Sequence, residues 1–135
     1  MHFTKFLDRV GETSGQLLFL SCGDEPAMTE LSEKGYDVEA MCPTVTDAWP
    51  QKEDTFHLAV DTSFFKNLSD PEERAHWRRE LSRVLQVDTL ALVVLGEDMK
   101  LEDAEALLAP EFKVVSYEGP AFIFKKNAIT VSQER

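Results

Sequence analysis

Six short strand-like runs constrain this chain more than any other feature. They are 16-QLLFLS-21, 36-YDVEAM-41, 56-FHLAVD-61, 89-TLALVVL-95, 112-FKVVSYE-118 and 120-PAFIFKK-126. Runs such as the first and fourth are apolar almost throughout, the pattern of a strand buried on both faces. The segments between them carry helical spacing. Residues 26–34 open on Pro26, turn Ala27, Met28 and Leu31 inward, and stop at Gly35. In 70-DPEERAHWRRELSRVL-85, Asp70 suits an N-cap and Pro71 suits N1, while Glu72 and Glu73 complement the helix dipole. Its inner face is read as Ala75, Trp77, Leu81, Val84 and Leu85. A third helix spans 101-LEDAEALLA-109 and closes at Pro110, and 3-FTKFLDRV-10 predicts one more at the start. Strands that alternate with helices imply a mostly parallel sheet with helices on both faces. The last two runs, joined by a short Gly-Pro turn, form an antiparallel hairpin. The expectation is one α/β domain over residues 1–126, three-layered and Rossmann-like, with a flexible polar tail at 127–135.

The chain has 135 residues, enough for one hydrophobic core. Its formal net charge is −11, from 25 acids and 14 bases. That charge repels phosphate backbones and anionic lipid, so neither nucleic acid nor a membrane is an expected partner. No apolar run approaches spanning length, and residues 1–10 mix charges with apolar residues, unlike a signal peptide. The reading is cytoplasmic. Cys22 and Cys42 each end an apolar run and read as reduced, buried packing residues. Neither they nor His2, His57 and His76 show metal-ligand spacing, so no metal is expected.

In open α/β sheets the ligand sits beyond the carboxyl ends of the strands. That rule draws attention to the turn after the first strand and to Asp61 at the end of the third. Such a first turn is normally rich in glycine, but here Gly23 stands alone before two acids, Asp24 and Glu25. Plain structural roles exist for each residue. Asp24 and Glu25 can favour the dipole of the helix they precede. Asp61 and Ser63 can cap an ordinary loop in 61-DTSFFKN-67, and His57 can be a hydrogen-bonded strand residue. Trp49, beside Pro50, either covers the sheet or presents an aromatic surface to a partner. The charges of 72-EERAHWRRE-80 read as a solvated face with i,i+4 pairs.

The succession of elements resembles the class I S-adenosylmethionine-dependent methyltransferases that act on small molecules. The resemblance rests on 31-LSEKGYDV-38, 47-DAWP-50, 55-TFHLAV-60, 80-ELSRVL-85 and 111-EFKVVSYEGPAFIFKK-126, in the family's order, and covers about residues 16–126. It implies S-adenosylmethionine as cofactor, with Asp47 at the position whose carboxylate lies near the adenine amino group. The departures gather at that cofactor. The family's first-strand acid falls on Phe19; its three turn glycines fall on Ser21, Gly23 and Glu25; its ribose-binding acid falls on Cys42. Its Pro-Gly-Gly turn is replaced by 87-VDT-89, and the Asp of its Phe-Asp-Leu-Val strand by His57. Cys42 also runs into Asp47 within five residues, so one helix–strand unit on the cofactor side is missing.

A carboxylate accepting two ribose hydroxyls supplies charge-assisted hydrogen bonds of roughly 1.5–3 kcal/mol each. Cysteine cannot replace them, and their loss weakens binding by ~100-fold or more. Asp24, Glu25, Asp37 or Glu39 could stand in. Two functions follow. The first is a methyltransferase-like domain with a degenerate cofactor site, acting as a binding or interaction module, as a homodimer or with a protein partner. The alternative is an active small-molecule methyltransferase, since methyl transfer needs alignment more than a catalytic side chain.

Overall fold

A computed structural model describes residues 15–22, 25–118 and 120–126. The helix expected at 3–10, the tail at 127–135, Gly23, Asp24 and the hairpin glycine Gly119 lie outside the described residues. The elements run β1 (Gly15–Leu20), α1 (Glu25–Glu33), β2 (Tyr36–Met41), β3 (Phe56–Asp61), α2 (Pro71–Val84), β4 (Leu85–Val94), α3 (Leu101–Leu108), β5 (Phe112–Glu118) and β6 (Ala121–Lys126). A 3-10 turn, Phe65–Asn67, follows β3.

The six strands form one sheet in the order β2-β1-β3-β4-β6-β5. The first four are parallel, and β6 and β5 complete the sheet antiparallel to their neighbours. This is the expected α/β, Rossmann-like sheet with a C-terminal hairpin. Between β2 and β3 the chain passes through residues 42–55 without a helix or strand, and among the described residues β2 is the edge on that side.

Alternation along the central strands splits the core into two layers. On one face, Leu18 and Leu20 of β1 and Ala91 and Val93 of β4 pack under Trp77, Leu81 and Val84 of α2 and Ala104 and Leu108 of α3. On the other, Leu17 and Phe19 of β1, with Leu58 and Val60 of β3, meet Leu31 of α1. Both layers are buried, which is why these strands read as continuous apolar runs.

Local signals place the helix ends. Asp70 accepts the backbone N–H of Glu72 at 2.9 Å and Pro71 opens α2. Gly35, at φ 102°, takes the left-handed conformation that ends α1. The largest boundary difference from expectation lies at β4. β4 begins at Leu85, directly off α2, and not at residue 89. Leu85 turns extended and pairs with Phe56, after which Asp88 adopts φ 65° and the register with β3 shifts. The polar 86–89 stretch is thus an irregularity inside a longer strand, and its composition hides the strand's true start.

Candidate functional site

From β1 the chain moves outward to β2, then returns past β1 to β3. The connections diverge between β1 and β3, and this is the topological switch point where open sheets hold their ligands.

At the switch point itself, Ser21 and Ser63 face each other with their Oγ atoms 3.3 Å apart. Ser21 is buried, and its backbone N–H continues the sheet by donating to the Met41 carbonyl at 3.1 Å. Beneath lies Asp61, at the carboxyl end of β3 and 1% exposed. Its Oδ1 accepts the backbone N–H groups of Ser63 at 3.2 Å and Phe64 at 2.8 Å. Its Oδ2 accepts from the Phe65 N–H at 3.1 Å and from Trp77 Nε1–H at 2.9 Å. Burial pushes the Asp61 carboxyl up to about 6, and the four donors only partly pull it back. Of the two roles the sequence allows for Asp61, the structure displays the loop cap: the carboxylate organises the turn from which Ser63 projects.

One strand over, Cys22 and Cys42 are joined by a disulfide, with Cα atoms 4.6 Å apart. This corrects the expectation of reduced, buried thiols, since both residues are also exposed. The cause is tertiary. β1 and β2 pair in parallel up to Leu20 and Met41, so the residues just past each strand end lie side by side within bridging range. A sequence separation of 20 conceals that closeness.

The 42–55 segment folds back over the sheet face next to β2. Trp49 is 3% exposed and joins the core layer beside Leu18, Leu20 and Trp77. Its indole N–H donates to the Thr44 carbonyl at 3.2 Å and its backbone N–H to Glu80 Oε1 at 2.8 Å. Arg83 donates to the carbonyls of Trp49 at 2.9 Å and Gln51 at 2.8 Å, and to Glu80 at 2.8 Å. His76 Nε2 lies 2.7 Å from the Asp47 carbonyl. Thus the backbone of Asp47 is held by α2, while its side chain is exposed. Burial pushes the Glu80 carboxyl up, but donation from Arg83 and Trp49 outweighs it, and the net value lies below the usual carboxylate range.

These contacts correct a second expectation. The charges of α2 are not simply a solvated face: Glu80 and Arg83 clamp the loop, and Arg78 donates to Glu111 at 2.8 Å and to the Leu107 carbonyl at 3.1 Å. The i,i+3 spacing of Glu80 and Arg83 was visible, but the loop they grip was not. Because they grip the same loop, Glu80→Ala and Arg83→Ala are each expected to cost about 1–3 kcal/mol in urea unfolding. The double variant is expected to cost less than their sum.

Among the sequence-predicted site residues, the structure gathers Ser21, Cys42 and Asp61 at the carboxyl ends of adjacent strands, each already engaged within the protein. Glu25 opens α1, and Gly23 lies outside the described residues. His57 accepts the Gln16 backbone N–H at its Nδ1 at 3.3 Å, the hydrogen-bonded strand role. Sequence reading did not single out Gln51, whose amide donates to Glu39 at 2.8 Å, or the Ser21–Ser63 contact, which only sheet order creates.

No family model and no curated protein matches the chain. Solved structures do. A 1,6-didemethyltoxoflavin N1-methyltransferase from Burkholderia thailandensis, with bound S-adenosylhomocysteine, superimposes at a TM-score of 0.76 with 11% identity. The match covers 92% of this chain and 76% of that one. A TehB-like S-adenosylmethionine-dependent methyltransferase from Corynebacterium glutamicum gives 0.68 and 15%, over 91% and 86% of the two chains. A methyltransferase from Aquifex aeolicus gives 0.68 and 15%, over 91% and 87%. With its sheet order, its terminal hairpin and these likenesses together, the chain carries a shortened form of the class I S-adenosylmethionine-dependent methyltransferase fold.

Proposed function

We propose that this is a cytoplasmic methyltransferase-like domain whose S-adenosylmethionine site is degenerate, and that it works as a binding module for a protein partner or a second copy of itself. One observation carries the reading: at the end of β2, where the fold's relatives are expected to offer a carboxylate, Cys42 is bonded to Cys22. A sulfur so engaged accepts no ribose hydroxyls. The neighbouring polar groups support the same reading, because Ser21 is turned to Ser63 and Asp61 is saturated by four donors. The exposed carboxylate of Asp47 is the feature that favours an active methyltransferase instead.

Titration calorimetry with S-adenosylmethionine and, separately, S-adenosylhomocysteine decides between the two. The expected result is no heat and no thermal shift at millimolar ligand. Micromolar binding that weakens in Asp47→Ala would overturn the proposal and turn the search to methyl acceptors. Light scattering on the purified chain then tests for self-association.

A further inference from the structure

We propose that Cys22 and Cys42 form a thiol–disulfide exchange site at the ligand end of the sheet, with a small thiol of the glutathione class as co-reactant. Three observations meet here. Both cysteines are exposed, although their neighbours Ser21 and Pro43 are buried, so a thiol in solution can reach the bond. Exposed disulfides are the ones that exchange.

The bond is also not what holds the strands together. The β1–β2 ladder runs unbroken from Gly15 and Tyr36 to Leu20 and Met41, and the Ser21 N–H extends it by one hydrogen bond at 3.1 Å. The sulfurs sit just past a pairing that is complete without them.

Finally, the anchoring of the 42–55 segment is asymmetric. Around residues 47–51 it is gripped by His76, Glu80 and Arg83 of α2. From Thr44 on it is tied to that docked part by hydrogen bonds to Asp47 and Trp49, and before Thr44 the covalent tie is the disulfide. Opening that tie therefore releases Cys42 from Cys22, while Thr44, bonded to Asp47 and Trp49, stays docked with 47–51. The site is a reversible clasp beside the switch point, not a staple of the whole domain.

The chemistry balances with two equivalents of thiol. A thiolate attacks one cysteine sulfur and the S–S bond breaks. The released cysteine thiolate takes up a proton, and a mixed disulfide remains. A second thiolate attacks the external sulfur of that mixed disulfide, and the second cysteine leaves and is protonated. Two thiols are oxidised to one disulfide, and the Cys22–Cys42 pair is reduced to a dithiol. The exchange uses no cofactor and is independent of S-adenosylmethionine binding.

The test is native reduction of the purified, oxidised chain by glutathione, followed by alkylation and mass measurement. The expected result is alkylation of both cysteines at a rate proportional to glutathione concentration, with the far-UV dichroism unchanged. Amide exchange should then quicken at Cys22 and Cys42 and not at 49–51. The Cys42→Ser variant, mixed with oxidised glutathione, is expected to gain one glutathione on Cys22. A reduction rate independent of thiol concentration and equal to the global unfolding rate would overturn the proposal. So would a purified chain whose two thiols stay reduced under oxidised glutathione.

Discussion

Trp49→Ala is expected to destabilise the domain by about 3–5 kcal/mol, the range for truncating a buried tryptophan. Trp49 lies in a segment without helix or strand, yet it is 3% exposed and packs in the same layer as Leu18, Leu20 and Leu81. Its ring fills the space over the sheet face beside β2, where the chain has no helix–strand unit of its own. Truncation leaves a cavity there, and the Thr44 carbonyl loses its indole donor. Trp49→Phe keeps most of the apolar volume and removes that donor, so it is expected to cost less, about 1–2 kcal/mol. Urea unfolding of the three proteins checks the ranking. A Trp49→Ala variant within about 0.5 kcal/mol of the parent, the range of a neutral surface change, would mean that the segment does not pack as described.

The second large effect is a pH dependence at Asp61. Its carboxyl titrates near 3.8 when unfolded and at about 6 when folded, because burial penalises the charge. The folded pKa is the higher one, so the folded state binds the proton more tightly. Asp61's contribution to stability is therefore fully present below about 4 and is lost as pH rises through about 6. Two pKa units correspond to about 3 kcal/mol. Asp61→Asn removes the titration and keeps one acceptor oxygen for the turn. The variant's amide nitrogen would meet donors from Phe65 or Trp77, which costs stability at every pH. The measurement is thus the difference between the two proteins and not either stability alone. That difference is expected to move against the parent by about 3 kcal/mol between pH 4 and pH 7. A flat difference would show that Asp61 titrates like an exposed carboxylate.

Much of this fold can be read from local pattern. Asp70-Pro71 announces the start of α2, Gly35 the end of α1, and runs such as 17-LLFL-20 the central strands. Each is a signal within a few residues, set by backbone conformation or by the need to bury an apolar side chain on both faces of a sheet. The Leu85 boundary escaped because a strand can carry a polar irregularity, and composition cannot tell that from a loop. At the candidate site the balance reverses. Asp61 was identifiable as a strand-end residue, and Ser21 and Cys42 through the family resemblance, but their partners were not. Ser21 meets Ser63 across 42 positions, and Trp49 meets Glu80 across 31.

Among the described residues, the sequence by itself determined the kind and order of the elements from β1 to β6 and the closing hairpin, because these follow from periodicity, and the family resemblance marked the loop at residues 42–55 as shortened. Only the tertiary structure decided that Cys22 and Cys42 bond, that Asp61 is spent on its own turn and that Trp49 closes the sheet face. Those outcomes depend on which strand ends lie side by side, and hydrogen bonds and disulfides reach only a few ångströms. Such distances exist only once the sheet order has been set.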